Sequence, residues 1–242
     1  MESVYWLVIL FALMYEPIFG YFDFQRFKKE VKNNTNSRIQ YYLNCLVSLW
    51  VPTLFIFLVV AFSDLTFAEI GVKLPIINIE TFGPVITYMV FALALIYLIG
   101  ILYYRIGYAF SEKIRAKLTE AKEKEIKTTS FFVILPETVK EKRLWNYVSL
   151  TAGITEEVIY RGFLVFALSF LFPEQSIWLV IFFASFLFGL AHTYQGIMGV
   201  VRTTIVGLFF SILYIGLGSI LPLIILHFLV DYIAKFGGEE TV

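Results

Sequence analysis

Apolar runs near the length of a bilayer follow one another along this chain, and they leave few folds open to it. A helix needs about 20 residues, ordinarily ~17–25, to cross the hydrocarbon core. Seven runs approach that length: residues 4–19, 41–62, 81–104, 144–172, 176–193, 198–216 and 220–236. Backbone amides in lipid find no water, so such runs become helices that satisfy their own hydrogen bonds. The expected fold is all-α, a polytopic transmembrane helical bundle of about seven to eight helices. Composition agrees: 59% of the 242 residues are hydrophobic, against roughly 45–50% in soluble domains. No basic n-region or small-residue cleavage site precedes the first run, so it is expected to be a retained span. No internal repeat or low-complexity linker divides the chain. It is read as one domain, with N-terminal spans and a basic loop over 1–143 and a core over 144–236.

The placement of charge predicts orientation. The loop over 21–40 carries Arg26, Lys28, Lys29, Lys32 and Arg38, whereas 63–80 carries only Lys73. The loop over 105–143 holds ten basic residues, 172–175 none, and Arg202 and Lys235 fall on the same side as the basic loops. Basic loops favour the cytoplasm. The chain is therefore expected to be a multi-pass membrane protein with its N-terminus outside and its C-terminus cytoplasmic. Basic residues confined to loops give no sign of nucleic-acid binding; the lipid bilayer is the expected partner. Within 105–129, Glu120/Lys124 and Glu123/Lys127 are i,i+4 pairs, which predicts a charged helix continuing the third span. Apolar residues 131–135 are too short to span and suit the membrane interface. The lone cysteine, Cys45, excludes an intrachain disulfide.

Against that background one cluster is out of place. Glu156, Glu157 and Arg161 interrupt the fourth run, and each charge at the bilayer centre costs ~2.5–3.5 kcal/mol on insertion scales. Such groups persist where they face the protein interior, pair, and serve a function. Glu157 and Arg161 stand four apart and share a helix face; Glu156 lies about 100° away and is left over. The run is long for a straight span, and either an interfacial start or a bend at Gly153 is expected. The two histidines of the protein, His192 and His227, also fall in apolar runs, and Asp231 shares a face with His227. A single histidine on an apolar helix is ordinarily satisfied by a nearby carbonyl. Here both histidines and most intramembrane acids gather on the last four helices. With the fourth helix entering near Tyr147, Glu156 lies about 14 Å deep at 1.5 Å per residue. His227 has a similar depth, so a pocket opening to the cytoplasmic side is expected.

These residues suit hydrolysis. A carboxylate beside neutral imidazoles can take a proton from water, and a second imidazole can hold an oxyanion. Equally, Glu156, His192, His227 and Asp231 are a ligand set for zinc, which would lower the pKa of bound water. Spacing leaves both open. No serine or cysteine elbow and no HExxH helix is present.

Three motifs in order, Glu156–Glu157–Val158–Ile159–Tyr160–Arg161, Phe188–Gly189–Leu190–Ala191–His192 and His227–Phe228–Leu229–Val230–Asp231, resemble the EExxxR, FxxxH and Hxxx(D/N) motifs of the CPBP family. This family comprises CAAX proteases and bacteriocin-processing enzymes and is also called the Abi family. The resemblance covers roughly the last hundred residues and places the catalytic core in the last four helices. It implies an intramembrane endopeptidase related to the Ras-converting CAAX endopeptidase, which removes three residues from a prenylated C-terminus. By motif, Glu156 would activate water with help from His192, Glu157 and Arg161 would brace the site, and His227 with Asp231 would stabilise the oxyanion. Asp231 departs from the asparagine of the CAAX-cleaving branch, and an ionised carboxylate cannot donate a hydrogen bond. The alternatives are a catalytically silent scaffold or immunity protein of the same fold, and a proton-coupled transporter, against which the missing repeat argues.

Overall fold

The computed structural model describes residues 2–31, 34, 36–128 and 130–236. Among the described residues there are eight helices and no strand. They are α1 Glu2–Glu30, α2 Ser37–Ala61, α3 Gly83–Phe110, α4 Glu112–Thr128, α5 over 139–171, α6 Ile177–Ala191, α7 Ile197–Leu217 and α8 Leu221–Ile233. The all-α bundle expected from the sequence is what forms. Each of the seven apolar runs lies largely on one helix, and the eighth, α4, is the charged helix after the third run. Of its two expected ion pairs, Glu123/Lys127 lies outside the described side chains.

Helix lengths differ from the expectation. Only α1, α2, α3 and α7 are, by length and composition, apolar and long enough to cross a membrane. The 15 residues of α6 and 13 of α8 reach about 22 and 20 Å at 1.5 Å per residue, short of the ~30 Å core. The turns fall between the apolar runs, at Gly196 (φ 81°) after α6 and Gly218 (φ 60°) before α8, and both helices end two or three residues inside their runs. Conversely α1 outruns its apolar stretch, since Phe24 and Phe27 bury one face while Arg26 and Lys29 keep the other in solvent.

The central element is α5. A capping box starts it: the Thr138 hydroxyl accepts from the Glu141 amide, and the Glu141 carboxylate accepts from the Thr138 amide. The helix runs unbroken through Val139–Glu156, a π-helical stretch Glu157–Leu164, and Val165–Leu171. The irregularity therefore falls at Glu157, not at Gly153. Gly153 has a different use: a Cβ there would stand 3.1 Å from the Ile224 carbonyl oxygen and the Phe228 nitrogen, so its absence lets α8 lie close against α5. The Trp145 indole donates to the Asp231 carbonyl at 2.8 Å, fixing the same pair of helices lower down. On the other side, Trp50 of α2 donates to Thr151 at 3.1 Å.

Two apolar cores result. The larger joins Val158, Phe163 and Leu164 of α5 to α6, α7, α8 and the start of α1. The smaller gathers Phe24, Phe27, Tyr41, Tyr42 and Trp145 around Ile134 and Leu135. The short apolar segment 131–135 is thus packed against protein, and Tyr42 donates to the Ile134 carbonyl. At the opposite end the loop over 63–82 pins α7 and α8, with Ile76 and Asn78 amides donating to Leu217 and Gly216 carbonyls at 2.8 Å.

Candidate active site

A cavity of about 780 Å³ opens among α1, α2, α3, α5, α6, α7 and α8, and all six residues singled out in the sequence line it. Arg161 and Glu157 are buried at 1% and 0% exposure. Arg161 Nη1 donates to Glu157 Oε1 at 3.0 Å, the i,i+4 pair expected, formed even though the stretch is π-helical. Its guanidinium lies 4.1 Å from the Phe188 ring centroid and 5.3 Å from that of Phe210, so aromatic faces cover a charge that water cannot reach. His227 Nδ1 meets the same Glu157 Oε1 at 2.7 Å. One carboxylate thus ties α5 internally through Arg161 and ties it to α8 through His227.

The far edge of that imidazole faces the reacting space. His227 Nε2 stands 3.8 Å from Glu156 Oε2 and 3.7 Å from Asp231 Oδ2. Glu156 Oε2 is buried and has no hydrogen-bond partner among the described residues. Of the two adjacent acids, one is consumed in the brace and the other is left facing the cavity, as the helical geometry predicted. His192 Nδ1 lies 2.8 Å from the Phe188 carbonyl. A carbonyl only accepts, so Nδ1 carries the proton and Nε2 keeps a free lone pair. The bland expectation for a buried histidine is met there, and it also sets the tautomer a proton acceptor needs. Among the described residues no hydrogen bond or ion pair joins His192 to Glu156; the two line the same cavity.

The π-helical stretch is part of the design of the site. Insertion of a residue into an α-helix widens one turn, and such stretches cluster at functional sites. Here every residue from Glu157 to Leu164 is buried. Gly162 lets the loop backbone approach, since a Cβ would stand 2.6 Å from the Ile70 carbonyl. No residue pattern in the sequence announces the π turn.

Residues 140–233 match the family model described as Type II CAAX prenyl endopeptidase Rce1-like. The match covers 94 of the chain's 242 residues. The match spans all six site residues and supports, at family level, an intramembrane protease of the CAAX type in a multi-pass membrane protein. No curated protein and no solved structure matches the chain. The Rce1-like segment begins on α5, so the cavity walls supplied by α1 and α2 lie outside it. Those walls hold the polar residue that the motifs missed: Glu16, on α1, lines the same cavity. In the sequence it stood out only as an acid before Pro17 in an apolar run.

A metal requires ligands that converge. Among the described residues no three His, Cys, Asp or Glu side chains are grouped so as to hold a metal ion. Glu156 and Asp231 each approach His227 through the same Nε2, at 3.8 and 3.7 Å, and this arrangement does not fit a zinc site.

Proposed function

We propose that the chain is an intramembrane endopeptidase in which Glu156 activates the attacking water, acting on prenylated proteins bearing a CAAX C-terminus. The observation that carries the reading is the buried Glu156 carboxylate, unpartnered at Oε2, facing the cavity beside His227 Nε2. A base with no hydrogen bond to give up is free to accept the proton of water. As attack proceeds, charge grows on the scissile carbonyl oxygen. His227, with Glu157 at Nδ1 and two acids near Nε2, serves best as a doubly protonated donor whose Nε2–H meets that oxygen. Asp231 then orients the imidazole and balances its charge, which gives an aspartate a use where it could not itself donate. Arg161 holds Glu157, and Glu157 holds His227, so both act as positioning residues. The proton taken by Glu156 passes to the leaving amine. His192, with its free Nε2, is a second acceptor in the same cavity.

The basic loops between α1 and α2 and after α3 support an N-terminus outside and a site reached from the cytoplasm. The predominantly apolar and aromatic wall suits a lipidated tail. No observation favours the scaffold or transporter alternatives. The deciding experiment is cleavage of a farnesylated C-terminal peptide by purified protein in detergent, with Glu156→Gln as control and metal content measured on the same batch. The expected result is release of the terminal tripeptide by the wild type only, in protein that keeps its activity under a chelator. A folded wild type that cleaves no such peptide would remove the CAAX assignment.

A further inference from the structure

The cavity holds more acid than the hydrolysis uses. Of its charged lining, Glu157 and Arg161 neutralise each other, Glu156 and Asp231 face His227, and Arg202 sits exposed at the rim, donating to Gln195 at 2.7 Å. Glu16 remains. Among the described residues its carboxyl has no hydrogen-bond or ion-pair partner, although it lies in an apolar helix where such a group is costly. Glu156 and Glu16 nonetheless line the same cavity.

Its placement is built, not incidental. Tyr15–Gly20 is a second π-helical stretch, centred on Pro17, whose missing N–H opens the helical ladder. The Pro17 carbonyl is held by the Thr193 hydroxyl at 2.9 Å, on the turn directly after His192. Gly20 makes room for the side chain: a Cβ there would come within 3.2 Å of Glu16 Oε2. One π turn therefore carries Glu157 and Arg161, directly after Glu156, and another carries Glu16, the latter pinned to the segment that bears His192.

We propose that Glu16 is a specificity-determining residue that reads a cationic group, a lysine or arginine side chain, on the part of the substrate seated in the cavity. The inference rests on the protease reading above. A lone carboxyl in apolar surroundings gains most from an arriving cation. The test uses farnesylated peptides carrying lysine or its neutral analogue norleucine at each tail position in turn. In the wild type, kcat/KM at one position is expected to favour lysine by at least about tenfold, the scale of a close charge pair, mostly through KM. Glu16→Gln should bring that ratio close to one, Glu16→Asp should retain part of it, and Glu16→Lys should transfer the preference to glutamate. A wild type that cleaves without preferring lysine overturns the Glu16 assignment and leaves the protease reading standing. So does a preference that survives Glu16→Gln, or a Gln variant that slows all peptides alike. A folded wild type that cleaves none of them takes both down.

Discussion

The helices on either side of residue 139 solve different problems with similar composition. Over Glu157–Leu164 all eight residues are buried. Along the 28 residues of α3 the buried ones are Thr87, Val90, Ile101 and Gly107. Lipid takes the place of water around α3, so its outward positions need only be apolar. Inside the bundle each position of α5 has a named neighbour, and its charges have partners. Apolarity alone therefore specifies α3, whereas α5 depends on which residue stands where. Substitutions that look equivalent by hydropathy should separate the two regions.

The largest effect is expected on catalysis. Glu156→Gln keeps size and burial but removes the base, and loss of a positioned general base ordinarily costs 10²–10⁴-fold. Peptide turnover should fall by about that factor while thermal unfolding in detergent stays near that of the wild type. A Gln variant with near-wild-type turnover would move the base elsewhere, His192 first.

Stability should respond most to Arg161. Removing one partner of a buried ion pair leaves an uncompensated charge and costs about 3–5 kcal/mol. Arg161→Ala should therefore unfold the protein at markedly lower temperature, because Glu157 loses its guanidinium and the rings of Phe188 and Phe210 lose what they cover. The contrasting deletion is Arg26→Ala on α1, where an exposed i,i+4 pair with Glu30 is broken; no shift in unfolding temperature is expected. Equal effects from the two would contradict the buried brace.

How much of this could be read from residue order follows the same division. The charged cluster was legible because charge in an apolar run is conspicuous and because spacing of three to four converts directly to a helix face. Glu157 with Arg161, and His227 beside Asp231, needed no further information. The turns on either side of α7 were legible as the gaps at 194–197 and 217–219, with the last two residues of the α6 run and the last three of the α8 run falling outside their helices. Thr138 with Glu141 did carry a readable capping box, and with it the true start of α5. Glu16 was visible as an anomaly but not assignable. It shares a cavity with Glu156, which lies far away in the chain, and nothing local encodes that α1 contributes to that cavity.

The smallest effects are the sharpest comparison, because one substitution should change sign between the regions. At Gly153 an added Cβ meets the Ile224 carbonyl oxygen and Phe228 nitrogen at 3.1 Å, both backbone atoms that no rotamer change can move. Gly153→Ala must push α8 away from α5, an overpacking cost of about 1–3 kcal/mol. That shift also carries His227 away from Glu156, so turnover should fall with stability. At Gly100 on α3 a Cβ meets nothing within 4 Å. Gly100→Ala adds a methyl to open space and restricts the unfolded chain, which stabilises by roughly 0.4–1 kcal/mol. Unfolding temperatures of the two variants in one detergent check this directly. Opposite shifts are expected, with turnover unchanged in Gly100→Ala. Destabilisation by both would mean that α3 is packed against protein along this face, and the contrast between a lipid-solvated helix and a protein-specified one would fail there.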